Sequence, residues 1–210
     1  LLYAFPPSES IREIGRSTLI TEADALFGSY ARFQQTKSLK KHYKTIFKET
    51  TEKFNIQKTL SPKEKQRVNA YTNYKSLESL SIAFKNEALD LLPTVEPSQR
   101  AKCHGKLSLD SIFFNGNNFY FDHLSDNSMG HPFVDFIELI LESGFGRQYE
   151  KDLLPLFCSC TDTQLDKRLY HMLYESLLRK KLVELIGTYI YEVYLFKSYR
   201  IDKILNVADT

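Results

Sequence analysis

The sequence predicts a mainly α-helical fold that contains one small β hairpin. Apolar residues recur at three- and four-residue steps along most of the 210 residues, which is the spacing of a single helix face. One stretch departs from this pattern, because two short apolar runs over 111–114 and 119–121 flank Asn115-Gly116, a pair that favours a tight hairpin turn. The chain is long enough to bury a hydrophobic core without disulfides.

Two helices are predicted upstream of residue 60. Thr21, followed by acidic residues in the next turn, starts a helix that ends near Gln35. A second helix is predicted over 39–54, where the apolar residues share one face and the lysines lie elsewhere. The apolar stripe of the first helix consists of Ala25, Leu26, Tyr30 and Phe33.

A third helix is predicted to begin at Ser61 and Pro62. Serine suits the N-cap, and proline suits the first helical position, where no amide hydrogen is needed. The apolar spacing continues toward Leu92, so we expect one uninterrupted helix to that point. Pro93 and Pro97 end it, because proline disrupts the hydrogen bonding of a helix interior.

The region after the hairpin is predicted to be helical again. Apolar spacing resumes at Pro132 and stops at the glycine-containing segment 143–146. Further helices are predicted over about 149–157, 163–179 and 181–205.

Composition excludes several classes of protein. The formal net charge of +2 is too small to indicate nucleic-acid or membrane binding by itself. Cys103, Cys158 and Cys160 form an odd set without metal-site spacing, so we expect reduced thiols. No apolar run approaches the roughly 20 residues that span a bilayer, and a soluble, cytoplasmic protein is expected.

The most informative segment begins at His104-Gly105 and continues through the hairpin to Asp122. A second segment, Gly-His-Pro-Phe-Val-Asp, follows at 130–135. Together they resemble the HGDxHxxN catalytic loop, the Asp after the hairpin, and the Gly-Asp-Pro-x-x-Asp segment of the aminoglycoside phosphotransferase and choline kinase family. This resemblance implies the helical C-terminal lobe of a kinase-like fold over 1–210.

The resemblance assigns altered residues to two catalytic positions. Lys106 stands where the family has its catalytic Asp, and Ser111 stands where it has a metal-binding Asn. Phosphoryl transfer needs a carboxylate that aligns the attacking hydroxyl and metal ions that bridge the phosphates. An ammonium group cannot accept a proton and repels magnesium, and loss of the base alone costs about 100- to 10,000-fold in rate. We therefore expect little or no phosphotransfer.

Other residues inherit roles that this chain can still fill. The resemblance implies that Asp122 binds magnesium, that His104 and Gly105 are structural parts of the loop, and that Asp135 supports the loop by hydrogen bonding. Asp122 alone can hold one hydrated magnesium ion with ATP, because that ion keeps much of its water. Ser111 is at best a weak ligand at the same site.

The small β lobe of such a kinase is expected to lie outside this chain. Residues 1–7 resemble the hinge that joins the two lobes, and 103–130 hold the loop and hairpin. The glycines form neither a GxGxxG nor a GxxxxGK[ST] phosphate-binding element. We expect the N-terminal lobe, or another protein, to contact the cleft face.

Three functional hypotheses remain open from the sequence. The first is a catalytically impaired kinase-like domain that acts as a binding or scaffold protein, as in the spore-coat-associated members of the family. The second is a divergent active small-molecule kinase, in which Asp110 or Asp122 carries the acid–base or metal role, with His123 as a further candidate base. The third is an unrelated helical interaction module, in which Asp122 would not face His104.

A basic stretch over 37–67 gives a superficial likeness to a nucleic-acid surface, since aromatic residues alternate with lysines. On helices, however, those aromatic residues belong to the apolar face and are separated from the lysines. We therefore expect a solvated basic face rather than a nucleic-acid interface.

Overall fold

A computed structural model of the chain provides the architecture. The helix predicted over 39–54, apart from Lys48, lies outside the described residues, as do residues 1–7, Lys106 and His123. The structure describes residues 9–10, 15, 17–35, 48, 60–70, 73–105, 107–122, 128–144 and 147–208.

Helices dominate this part of the chain, as predicted. In chain order the elements are β1 (Glu9–Ser10), α1 (Ser17–Thr21), α2 (Ala23–Gln34), α3 (Pro62–Asn69), α4 (Tyr74–Leu91), a 3-10 turn (Pro97–Gln99), β2 (Ala101–Cys103), β3 (Ile112–Phe114), β4 (Phe119–Phe121), β5 (Ser128–Gly130), α5 (Phe133–Ser143), α6 (Arg147–Cys160) and α7 (Lys167–Ala208).

The chain divides into two compact units. The first comprises 1–46 and 92–177, and the second comprises 47–91 and 178–210. The first unit holds both sheets, α5 and α6, and α7 contributes residues to each unit. No described helix combines the length and the apolar character that crossing a bilayer requires.

Aromatic side chains form the core of the first unit. Phe27 and Tyr30 are one turn apart on α2, and both pack against Phe157 of α6. Their ring centroids lie 5.3 and 5.6 Å, respectively, from the centroid of the Phe157 ring. Phe136 of α5 lies against Phe157 from the other side, at 4.9 Å. All four rings are almost fully buried, so Tyr30 of the predicted stripe lies on the core face of α2, as does Phe27, which the prediction left out.

The predicted hairpin is confirmed. Strands β3 and β4 pair antiparallel, with Ile112 opposite Phe121 and Phe114 stacked on Phe119 at 4.5 Å. The turn between them uses Asn115, whose side-chain oxygen accepts from the amides of residues 117 and 118. Gly116 has a φ of 90°, a backbone conformation that favours glycine.

Two further strand pairings were not predicted. β1 pairs antiparallel with β3, and β2 pairs antiparallel with β5. The hairpin is therefore not the sole β element of the chain. Strands of two or three residues give no alternation long enough to detect, and their partners are distant in sequence.

Helix α5 begins and ends as the sequence predicts. Pro132 precedes its first residue, and Gly144 ends it in the left-handed conformation with a φ of 67°. Most of the helix is buried, including Asp135 in its first turn and Glu138 one turn later. An acidic residue near the N-terminus also interacts favourably with the helix dipole.

In the second unit, the single helix predicted from Ser61 to Leu92 is in fact two helices. Ser61 caps α3 as predicted, because its hydroxyl accepts from the Glu64 amide and the Glu64 carboxylate accepts from the Ser61 amide. The helix then ends at Asn69 instead of continuing to Leu92. Asn73 starts α4 anew, because its side-chain oxygen accepts from the Ser76 amide in the first turn.

The last predicted helices are in fact one. The structure has a single helix from Lys167 to Ala208, where the sequence predicted a break near residue 180. Arg179, Lys180 and Lys181 are strong helix formers, and no glycine or proline separates the two predicted segments. Ile190 of this helix joins the second unit's core, which also contains Leu60, Val68 and Tyr74.

Candidate functional site

The carboxylate of Asp135 holds the His104-Gly105 segment in place. Oδ2 accepts hydrogen bonds from the His104 amide at 2.5 Å and from the Tyr30 hydroxyl at 2.6 Å. Oδ1 accepts from the Gly105 amide at 2.8 Å. Gly105 has a φ of 84°, so the loop turns at a residue that has no Cβ to resist it. One side chain of α5 therefore fixes the conformation of a loop 30 residues upstream.

Burial shifts the pKa values of Asp135, Tyr30 and Cys103. It raises the pKa of the Asp135 carboxyl, while hydrogen bonds from Tyr30, Gly105 and His104 lower it. Burial and the nearby Asp135 charge raise the pKa of Tyr30 well above its usual value, so the phenol stays neutral and donates. Burial also raises the pKa of Cys103, whose thiol donates to the His131 carbonyl at 3.4 Å.

The His104 side chain joins the loop to the end of the hairpin. Nε2 lies 2.5 Å from the backbone carbonyl oxygen of Asp122. Because a carbonyl oxygen only accepts, Nε2 carries the proton in this bond. Nδ1 is buried and has no hydrogen-bond partner among the residues that the structure describes. The backbone carbonyl of Asp122 thus faces His104, an arrangement that the unrelated-module hypothesis does not predict.

The hydroxyl of Ser111 forms its hydrogen bonds within its own loop. It accepts from the Ser108 amide at 2.8 Å and donates to the Ser108 carbonyl at 2.9 Å. The Ser111 carbonyl in turn accepts from the Asp122 amide at 2.9 Å. Ser111 is only 1% exposed, so its oxygen serves the loop and is not presented to solvent.

Two carboxylates of the site reach solvent. Asp122 directly follows β4 and is exposed, and Asp110 is exposed in the turn before β3. In the described ranges, no three His, Cys, Asp or Glu side chains are grouped as a protein-only metal site would require. One exposed carboxylate suits a hydrated magnesium ion that takes its remaining ligands from phosphate and water.

Sequence reasoning missed two residues of this cluster. Tyr30 was assigned to the apolar stripe of α2, and its bond to Asp135 spans 105 positions, so no local motif could reveal it. His131 stands where the family segment has Asp, and its Nδ1 accepts from the Phe133 amide at 3.2 Å. A polar residue directly before Pro132 and a helix is the signal that could have identified this role.

Phe33 and Lys102 lie next to the loop. The Lys102 ammonium is 4.2 Å from the centroid of the Phe33 ring, a favourable cation–π distance. The same ring lies 5.6 Å from Phe121 and 6.2 Å from His104. Burial lowers the pKa of Lys102, so the aromatic contact partly offsets a costly position for a cation.

Comparisons with sequences identify no relative. No protein-family model matches the chain, and no curated protein matches it significantly. Solved structures do resemble it. Aminoglycoside phosphotransferase APH(3'')-Id from Streptomyces rimosus, in complex with ADP and streptomycin, has a TM-score of 0.51 at 14% identity, covering 83% of this chain and 67% of that one.

Two choline kinase structures are also similar. Choline kinase LicA from Streptococcus pneumoniae has a TM-score of 0.47 at 20% identity, covering 85% of this chain. A choline/ethanolamine kinase family protein from Mesorhizobium loti has a TM-score of 0.45 at 11% identity, covering 94% of this chain. The chain spans 58% and 60% of the lengths of these two proteins. The likeness to the aminoglycoside phosphotransferase, at a TM-score of 0.51, shows that the described, mainly helical residues have the fold of a helical kinase-like lobe.

Proposed function

We propose that this chain is the helical lobe of a kinase-like protein that has lost efficient phosphotransfer and acts by binding. The observation that carries the proposal is a contrast within one loop. Asp135 still holds His104 and Gly105, while the position of the metal-binding Asn is a buried serine bonded to Ser108. The loop keeps the hydrogen bonds that support it, while a metal-binding position is altered. This combination supports a binding or scaffold role.

The proposed binding partner at this site is a nucleotide with magnesium. Asp122 would hold the ion through its exposed carboxylate, and the bound ion would neutralise phosphate charge. This arrangement favours binding of the nucleotide over transfer of its phosphate, because no carboxylate is left at the base position to align an acceptor hydroxyl.

A magnesium-dependent ATP titration of the full-length protein by calorimetry tests the proposal. The wild type should bind ATP more tightly with magnesium than without it, and Asp122→Ala should abolish the difference. Phosphate release should be undetectable in the wild type. Binding that is lost in Asp122→Ala together with measurable turnover in the wild type would contradict the loss of catalysis.

The alternative, a divergent active kinase, is separated by one further variant. Asp110 is exposed four residues after Lys106, and the alternative assigns the acid–base or metal role to it or to Asp122. Under the alternative, the wild type turns over, and Asp110→Ala or Asp122→Ala stops it. Under our proposal, Asp110→Ala matches the wild type, and Lys106→Asp is the variant in which transfer first becomes detectable.

A pure scaffold is the remaining form of the proposal. Its signature is that neither the wild type nor any variant binds ATP. The partner would then be the N-terminal kinase-like lobe or another protein at the cleft face. Association with the spore coat stays a prediction of the sequence resemblance.

A further inference from the structure

Tyr30 touches both halves of the candidate site. Its hydroxyl donates to Asp135 Oδ2 at 2.6 Å, and its ring packs edge-on against Phe121, with centroids 6.0 Å apart and an interplanar angle of 81°. Phe121 is the residue directly before Asp122. Tyr30 is 1% exposed, so a ligand does not contact it directly.

We propose that Tyr30 is a positioning residue that sets the placement of Asp122, and with it the magnesium-dependent affinity for nucleotide. The inference rests on the proposed function for its ligand. Its path is a continuous series of hydrogen bonds, from the Tyr30 hydroxyl to Asp135, from Asp135 to the His104 amide, and from the His104 ring to the Asp122 carbonyl.

The physical basis is the buried charge at the centre of that path. Asp135 is completely buried, so its carboxylate depends on all three of its donors. Tyr30 supplies the one donor that does not belong to the loop. Without it the carboxylate is free to turn toward the loop amides, and His104 and Asp122 turn with it.

Tyr30→Phe tests this relationship because it removes the donor and keeps the ring. Tyr74→Phe is a matched control, since Tyr74 is also buried and its hydroxyl also donates to a carboxylate, that of Glu78 at 3.1 Å, within the second unit. By calorimetry on the full-length protein, Tyr30→Phe should weaken magnesium-dependent ATP binding by about tenfold. Binding without magnesium should not change, and Tyr74→Phe should match the wild type in both conditions.

Amide hydrogen exchange supplies a second readout that needs no ligand. In Tyr30→Phe, exchange should become faster at the Asp122 amide as well as at the His104 and Gly105 amides. Acceleration confined to His104 and Gly105 would overturn the proposal, because the hydroxyl would then stabilise the loop without influencing Asp122.

The two experiments also separate this inference from the proposed function. If the wild type binds no ATP, the nucleotide role fails, and the exchange rate at Asp122 still decides whether Tyr30 positions it. If the wild type binds ATP and Tyr30→Phe binds it equally well in magnesium, the proposed function stands and the inference about Tyr30 is wrong.

Discussion

The imidazole of His131 accepts a hydrogen bond from the Phe133 amide at the start of α5, and the distance from Nδ1 to the amide nitrogen is 3.2 Å. A neutral ring is required, because a protonated Nδ1 would have no lone pair for the amide. Burial accordingly lowers the pKa of His131 to about 4, although the Asp166 charge acts in the opposite direction. The hydrogen bond at the start of α5 therefore depends on pH, because it is lost when His131 is protonated.

We therefore expect stability to fall as the pH drops from 6.5 toward 4. In the folded protein His131 stays neutral to about pH 4, whereas in the unfolded chain it binds a proton near 6.5. The stabilisation that the neutral His131 provides is complete above pH 6.5. It is lost as the pH falls from 6.5 to about 4, and the free energy of unfolding then decreases by about 1–3 kcal/mol in total. Urea unfolding at several pH values measures this slope.

His131→Asn is the variant that isolates the effect. An Asn oxygen can accept from the helix amide and does not titrate, so this part of the slope should disappear. His171→Asn, at an exposed position of α7, is the matched control for the exchange of histidine for asparagine. An equal slope in the wild type and in His131→Asn would show that other groups cause the pH dependence.

Asp135→Ala is expected to be among the most destabilising single changes. It leaves the His104 and Gly105 amides and the Tyr30 hydroxyl without their acceptor in a buried site, at a cost of about 3–5 kcal/mol. Asp122→Ala removes a carboxylate that is exposed, and should change stability by less than about 0.5 kcal/mol. Comparable losses in the two variants, measured by chemical denaturation, would contradict the central position of Asp135.

Ser61→Ala should cost about 1 kcal/mol, because it removes the acceptor for the Glu64 amide from the capping box of α3. Ser79→Ala provides the comparison, since Ser79 is exposed within α4, where alanine is the better helix former. The two variants should shift the melting temperature in opposite directions, and a shift of the same sign would argue against the cap.

Gly144→Ala and Gly28→Ala should likewise have opposite effects. Gly144 ends α5 with a φ of 67°, where a side chain is strained by about 1 kcal/mol. Gly28 lies inside α2, and a Cβ there would meet its nearest neighbour, Arg32 Nη1, at an ordinary 3.8 Å. Alanine at 28 should therefore stabilise the helix by up to about 1 kcal/mol. Thermal unfolding of both variants checks the pair, and destabilisation by both would contradict it.

Local signals account for the parts of this fold that the sequence predicts correctly. The Asn115-Gly116 turn, the Ser61 cap and the Gly144 terminus each depend on a few adjacent residues, whose backbone preferences act without tertiary help. Breaks between helices were less predictable. Asn73 restarts a helix within a continuous apolar pattern, and the lysine-rich segment near 180 looks like a boundary although its residues favour helix.

The sequence singles out candidate site residues where they are close to a recognisable motif, and their roles stay predictions. His104, Asp122 and Asp135 could be singled out because the loop, the hairpin and the next helix follow one another along the chain. Tyr30 could not, since its contribution is a hydroxyl that reaches Asp135 from a distant helix. Its aromatic ring satisfied the helical pattern completely, so the pattern gave no reason to assign it a polar role.

The hydrogen bonds between Ser111 and Ser108 also limit which substitutions this loop tolerates. Replacing Ser111 by asparagine would introduce a larger side chain into a buried position and remove the hydroxyl that serves the Ser108 amide and carbonyl. The first effect of that substitution would be damage to the loop rather than a new metal ligand. A metal-binding side chain at position 111 therefore requires compensating changes around it, so single substitutions do not reach it.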